Sequence, residues 1–295
     1  MFQTTIAKKI EVTGIGLHSG EAIDMTLEPL DVNSGIIFVH AKSGKEIKLN
    51  PNNITETKLA TTLGKKPNSI STIEHFLSAL YAYGIDNLKV TIRGNEMPIM
   101  DGSAISFCMM LDEAGIKRQS APKKFIVIKK EISVKEDGKV ATLKPSSKPN
   151  FNFVIDFEHP VIGKQKYNFE FSKRRFIEDI AKARTFGFAR DIQYLQSINL
   201  ALGASLDNAI GLDENSVLNP DGLRFEDEFV RHKILDAMGD MMVLGYNLLG
   251  EYSAYASSHD LNHLLTKKLL ETSDAYEIVT FVKERDSLEL VKVFA

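Results

Sequence analysis

The sequence predicts an α+β protein made of two similar domains, each a β-sheet packed with two main helices. Three observations carry this. The chain has 295 residues, enough for one large or two ordinary domains. Its 43% apolar content supplies a core. Strand-like and helix-like patterns then run in the same order twice, each half ending helix, strand, helix, as a duplicated unit would. The polar, proline-bearing stretch Arg118-Gln-Ser-Ala-Pro-Lys-Lys reads as a linker, which sets the domains at 1–120 and 123–295.

The first half opens β-rich. Ile23-Asp-Met-Thr-Leu alternates apolar and polar, and Gly35-Ile-Ile-Phe-Val is a short run of the buried-strand type. Asn50-Pro-Asn-Asn is a turn. A helix is expected from about Ser71 to Tyr83, closed by Gly84. Asn87 to Arg93 is a strand, and Asp101-Gly-Ser opens a second helix ending near Gly115. In the second half, strands are expected at Phe125–Ile128, Val140–Leu143 and Asn152–Phe157. A long helix around His232 follows, then a strand at Glu251–Ala256 and a helix from His259 to about Leu270. If the first helix of each half faces the other, a site between the domains is expected.

Composition excludes several classes. A formal charge of −3 and a pI near 6.2 argue against a nucleic-acid platform, which is normally basic. The single cysteine, Cys108, rules out an intramolecular disulfide and a cysteine-rich metal site, and its apolar context reads as core. The N-terminal stretch lacks the pattern of a secretory signal, and no uncharged apolar run approaches bilayer length. The expectation is a cytoplasmic protein that does not span a membrane.

The chemistry concentrates on one helix. His232, Asp236 and Asp240 follow one another at spacings of four, which stacks them on one face. The stripe runs into Met241, Met242, Val243 and Leu244, so the helix reads as buried. Buried charges are costly unless paired or bound to a metal. A histidine and a carboxylate one turn apart can reach one zinc ion, but a third ligand and a reactive water are then needed. Glu74-His75 offers both parts. Each residue also has a plainer reading. Ser71-Thr-Ile-Glu74 fits a capping box, His75 fits a hydrogen-bonded core histidine, and His232 with Asp236 fits a simple ion pair. Asp240 is better placed to orient an imidazole than to ligate. His259, at a strand end and opening a helix, is the candidate imidazole and general acid. Thr185, read at a helix end, offers a hydroxyl to a developing oxyanion. His263 reads as surface, and His40 and His159 receive no role. Gly14-Ile-Gly-Leu-His-Ser-Gly20 lacks the Gly-Lys-Ser/Thr of a phosphate loop and reads as a turn between strands. Phe186 to Ala204 is apolar and glycine-punctuated. From composition it reads as a core helix with its loop in preference to a channel for a lipid chain.

Six blocks then occur in order: Gly14-Ile-Gly-Leu-His-Ser-Gly, Ser71-Thr-Ile-Glu-His, Pro98-Ile-Met-Asp-Gly-Ser, Ala183-Arg-Thr-Phe-Gly-Phe, the run from Asp221 to Ala237, and Ser258-His-Asp-Leu-Asn. Together they closely resemble the UDP-3-O-acyl-N-acetylglucosamine deacetylases, the zinc amidases of the committed step of lipid A biosynthesis, over essentially the whole chain. The resemblance implies two α+β domains with the site at their interface and a small βαβ-like insert in the second. It implies Zn²⁺ held by His75, His232 and Asp236, with Glu74 as general base. His259 would be the general acid, its ring held by Asp240. Thr185, assisted by the charge of Lys233, would bind the oxyanion. It places Phe186 against the sugar and the acyl chain in the stretch near 186–212, with Phe188, Ile192, Leu195, Leu200 and His18 as further substrate contacts. The implied partner is an acylated UDP-sugar. One departure stands out: Ala256 occupies a position where the family often has a lysine near the nucleotide phosphates. A zinc hydrolase of another acylated substrate and a non-catalytic α+β binding module are the alternatives.

Overall fold

The computed structural model describes residues 1–280 and 292–294. The first half contains strands β1 (Phe2–Ile6), β2 (Ile10–Ile15), β3 (Ala22–Pro29), β4 (Ile36–His40), β5 (Lys45–Lys48), β6 (Ile54–Glu56) and β7 (Thr62–Leu63). Helix α1 (Glu74–Tyr83), β8 (Leu88–Arg93), α2 (Ile105–Ala114) and β9 (Ile116–Pro122) complete it. The second half runs β10 (Lys124–Ile128), β11 (Ile132–Glu136), β12 (Lys139–Lys144), β13 (Asn150–Asp156) and β14 (Lys164–Glu170). The short α3 (Lys173–Arg175) continues into a π-helical turn at Phe176–Ile180. Then come β15 (Phe186–Phe188), α4 (Ala189–Ser197), β16 (Ile210–Leu212), α5 (Glu228–Met242), β17 (Asn247–Leu249), β18 (Glu251–Tyr255), α6 (His259–Glu271) and β19 (Tyr276–Thr280).

The two halves share one topology. The first sheet has the order β2-β3-β8-β4-β5 and the second β11-β12-β18-β13-β14. In both, neighbouring strands pair antiparallel, antiparallel, parallel, antiparallel along that order. In both, one helix (α1 or α5) precedes the central strand (β8 or β18), with the short β17 interposed in the second half, and another (α2 or α6) follows it. The two-domain α+β expectation holds. The alternation read at Ile23–Leu27 is the buried face of β3, with Ile23, Met25 and Leu27 all inside. The expected insert is a βαβ unit: β15 and β16 pair in parallel across α4.

Four local readings are corrected. The stretch read as a linker is strand β9, paired with β1, and it leads into a buried Lys123 whose Nζ donates to Gly84 O at 2.8 Å and Asp86 Oδ1 at 2.7 Å. A mostly exposed edge strand ending in proline has a linker's composition. Helix α1 begins at Glu74 behind Ile73, and Ser71 does not cap it. Ser71 Oγ instead bonds Asn95 O, so tertiary pairing overrides the capping box. Helix α2 begins at Ile105, because Asp101 accepts from the hydroxyl and backbone of Ser103 in a local turn. The two histidines given no role have partners: His40 Nδ1 lies 3.1 Å from Ser43 Oγ, and His159 Nε2 lies 2.7 Å from Asp213 O.

The domains meet through α1 and α5, the most closely packed helix pair. Every residue of α1 is buried, and so are thirteen of α5. Phe76, Leu77, Leu80 and Tyr81 bury apolar surface at roughly 1.5–3 kcal/mol each. That offsets the cost of the polar Glu74 and His75 carried on the same helix. The approach is close enough to exclude a side chain: a Cβ on Gly239 would lie 1.9 Å from Glu74 O. Gly239→Ala is therefore expected to force the helices apart and to cost at least about 1–3 kcal/mol as overpacking does. Thermal denaturation checks this, and an unchanged midpoint would mean that the contact tolerates a methyl group.

Candidate metal centre and active site

The α1–α5 contact brings the chemical residues together. His75, on the first turn of α1, and His232 and Asp236, one turn apart on α5, place their ligand atoms within 4.8 Å of one another. Asp236 Oδ1 lies 3.5 Å from His75 Nε2 and 3.3 Å from His232 Nε2. The two imidazoles stand edge to face with centroids 4.9 Å apart. All three residues are buried.

The donor set suits a cation. His232 Nδ1 is 3.0 Å from Ala183 O, and a carbonyl only accepts, so Nδ1 carries the proton and Nε2 presents a lone pair. Burial drives the His232 pKa down to about 3, which keeps the ring neutral. Asp236 is also buried, but the Lys233 ammonium and the neighbouring His75 overcome that penalty and hold its carboxyl well below the usual range. Lys233 Nζ donates to Asp236 Oδ2 at 2.9 Å. Among the described residues, Asp236 Oδ1 has no hydrogen-bond partner although it is fully buried. A bare carboxylate oxygen facing two imidazole nitrogens is what a bound divalent ion would satisfy, so these residues fit zinc.

A second cluster lies beside the first. Glu74 Oε2 accepts from the backbone N–H of Thr61 at 3.0 Å, leaving Oε1 3.8 Å from His259 Nε2. Burial raises the Glu74 pKa above its ordinary value. His259 is the first residue of α6, behind Ser258, whose side chain caps the helix. Its Nδ1–H donates to Asp240 Oδ2 at 2.8 Å. Burial opposes its charge, but the carboxylates of Asp240 and Glu74 outweigh burial and raise its pKa to about 10. Asp240 is itself fixed on both oxygens, by Thr61 Oγ1 at 2.6 Å and by Asn262 Nδ2 at 2.7 Å.

The remaining candidates form the walls. Thr185 lies beyond the π-helical turn, in the loop entering β15, and not at a helix end. Its N–H donates to Gly102 O and its carbonyl accepts from Ile210 N. Phe186 packs edge-on against Phe229 and His232, with Lys233 Nζ 5.5 Å from its ring centroid. A cavity of about 370 Å³ runs along the insert, lined by Thr185, Phe186, Ile192, Leu195 and His18 among others. A wider one of about 670 Å³ lies alongside, lined by His18, Leu195 and Leu200 together with Lys58, Lys66 and Glu96. Phe188 lines neither. It stacks near His159 and under Arg190. His263 is half-buried, with a shielded Nδ1, and not on the surface. Ala256 sits in a left-handed conformation (φ 49°) just ahead of His259.

The glycine-rich turn between β2 and β3 does dock a ligand of sorts, which is the insert itself. Leu202 N donates to His18 O and Gly203 N to Leu17 O, and a Cβ on Gly203 would lie 2.2 Å from Gly16 O. Glu96, buried, holds the turn by accepting from the N–H groups of His18 and Ser19. Neither Glu96 nor the buried pair Arg184–Glu228 was visible in the sequence. That pair joins Arg184 Nε and N to Glu228 Oε1 at 2.9 and 3.0 Å, fixing the segment that presents Ala183 O to His232. Thr61 was missed as well. Arg184 and Glu228 fall inside blocks quoted above, but nothing in the chain pairs them, and the bonds that give these residues their places span 13 to 179 positions.

The chain is similar to known proteins over its whole length. The family model for UDP-3-O-acyl N-acetylglycosamine deacetylase matches residues 3–271. A UDP-3-O-acyl-N-acetylglucosamine deacetylase of Sulfurovum sp. (strain NBC37-1) is 60% identical over 295 residues, covering all of both chains. Proteins of the same name from Campylobacter jejuni (serotype O:2) and Campylobacter fetus are 56% and 55% identical, again over full length. The chain belongs to the UDP-3-O-acyl N-acetylglycosamine deacetylase family.

Proposed function

We propose that this protein is a zinc-dependent amidohydrolase that removes the N-acetyl group of UDP-3-O-acyl-N-acetylglucosamine, giving acetate and the free 2-amine in lipid A biosynthesis. The relatives' shared name supports the substrate. The observation that carries the chemistry is the convergence of two imidazoles and an unpartnered carboxylate oxygen beside a glutamate and a carboxylate-held imidazole.

His75, His232 and Asp236 would hold the zinc. When bound, zinc supplies a Lewis acid that polarises an amide carbonyl and makes water nucleophilic near neutrality. Glu74 Oε1, free while Oε2 is tied to Thr61, takes the proton of the attacking water. The developing oxyanion is met by the Thr185 hydroxyl and by the positive field of Lys233. His259 gives its Nε2 proton to the departing amine, and Asp240 keeps that proton in place through neutral pH. The insert cavity takes the acyl chain. At about 370 Å³ it lies within the usual range of small-molecule sites, roughly 300–1,000 Å³. Phe186 forms the wall between this cavity and the metal ligands and meets the sugar.

The direct test is acetate release from the acylated UDP-sugar. Activity should be lost with a chelator and restored by zinc, and Glu74→Gln should lower kcat by at least about 10²-fold. Chelator-resistant turnover, or no turnover of this substrate with turnover of another acylated amide or ester, would replace the assignment. Thr185→Val should lose on the order of 10²–10³ in kcat, the usual effect of one oxyanion donor. A near-wild-type rate would remove that role.

The pH profile should be bell-shaped. A general acid works only while protonated, so activity falls as pH rises through the His259 pKa. The raised value of about 10 puts that limb well above the ordinary histidine range. Removing the Asp240 charge lowers the His259 pKa, so Asp240→Asn should move the basic limb to lower pH. A limb that stays put would assign it to another group.

A further inference from the structure

We propose that Thr61 is a positioning residue that sets the general base and the general-acid pair against each other across the domain interface. The inference rests on the roles given above to Glu74, Asp240 and His259. Thr61 lies just ahead of β7 and is only 2% exposed. Its three polar groups are all engaged, two at the start of α1 and one on α5. The N–H donates to Glu74 Oε2 at 3.0 Å, the hydroxyl donates to Asp240 Oδ1 at 2.6 Å, and the carbonyl accepts from Ile73 N at 3.3 Å.

The N–H and Oγ1 of one threonine are held at a nearly fixed separation by its own covalent frame. Two carboxylates, one from each domain, are therefore kept at a set distance by one residue. Each has one oxygen taken by Thr61 and the other turned to His259. Glu74 Oε1 faces Nε2 at 3.8 Å, and Asp240 Oδ2 receives Nδ1–H at 2.8 Å. Asn262 completes Asp240 on the second oxygen. Without the hydroxyl, Asp240 Oδ1 is a buried anionic oxygen with no donor, which is costly. The carboxylate then loses one of the bonds that fix its plane, and with it the aim of the imidazole. Small errors of aim matter, since a misplacement of about 1 Å can cost on the order of 10² in rate.

The test compares Thr61→Val, which keeps the shape and loses the donor, with Thr61→Ser, which keeps the donor and loses the methyl. Both are made alone and together with Asp240→Asn, and kcat, KM and zinc content are measured. Thr61→Val should lower kcat by on the order of 10–10² while KM and zinc content stay near wild type. Thr61→Ser should recover most of the rate. In the Asp240→Asn background, Thr61→Val should add little, because both changes act on the same imidazole. A merely structural threonine would give equal losses in both backgrounds, and that result, or a wild-type kcat for Thr61→Val, would overturn the proposal. If Asp240→Asn alone left kcat intact, the general-acid reading would fail first. Should Thr61→Val not fold, Thr61→Ser must exceed Thr61→Ala at least tenfold in kcat, and equal rates overturn the coupling.

Discussion

The contact on which this molecule depends is the close packing of α1 against α5, where the backbone carbonyl of Glu74 meets Gly239 with no room for a side chain. Each helix belongs to its own five-stranded sheet, and neither carries a complete site. One brings Glu74 and His75, the other His232, Asp236 and Asp240. Only their mutual approach turns five buried polar groups into two clusters, so the apolar surface of the helices and the arrangement of the site are one and the same constraint.

Electrostatics explains why those groups tolerate burial. The carboxylate of Asp236 is offset by the Lys233 ammonium, and that of Asp240 by three hydrogen-bond donors. The oxygen left over, Asp236 Oδ1, is the exception, and it points between the two imidazole nitrogens. Environments that push the two histidines in opposite directions separate their roles. His232 is kept neutral by desolvation and can donate a lone pair, whereas His259 is kept charged by two carboxylates and can donate a proton.

Much of this was legible in the chain. The spacing of His232, Asp236 and Asp240 is a helical stripe, and the methionines after it announce burial. The doubled order of strands and helices announced two similar domains, though not that their strand order and pairing sense coincide. What escaped were groups whose meaning is set by distant partners. Thr61 sits in Leu59-Ala-Thr-Thr-Leu with nothing to distinguish it from Thr62. Ser71 and Glu74 carry a capping pattern that the fold spends elsewhere, on Asn95 and Thr61. Lys123 looked like part of a polar linker, yet its ammonium is buried on Asp86. Local pattern reports periodicity well and reports the partner of a polar atom poorly.

The insert was the point at which the residues alone allowed two readings. It is a βαβ unit seated on the glycine-rich turn at Gly16–Gly20, and none of the residues of α4 is buried, so it is not a core helix. It walls a cavity lined by Phe186, whose ring packs edge-on against His232.

The most direct test of the central claim is an anomalous-scattering measurement at the zinc edge on crystals of the zinc-loaded protein. A single strong peak should lie between His75 Nε2, His232 Nε2 and Asp236 Oδ1. A peak elsewhere, or none between those three atoms at full zinc loading, would contradict the account.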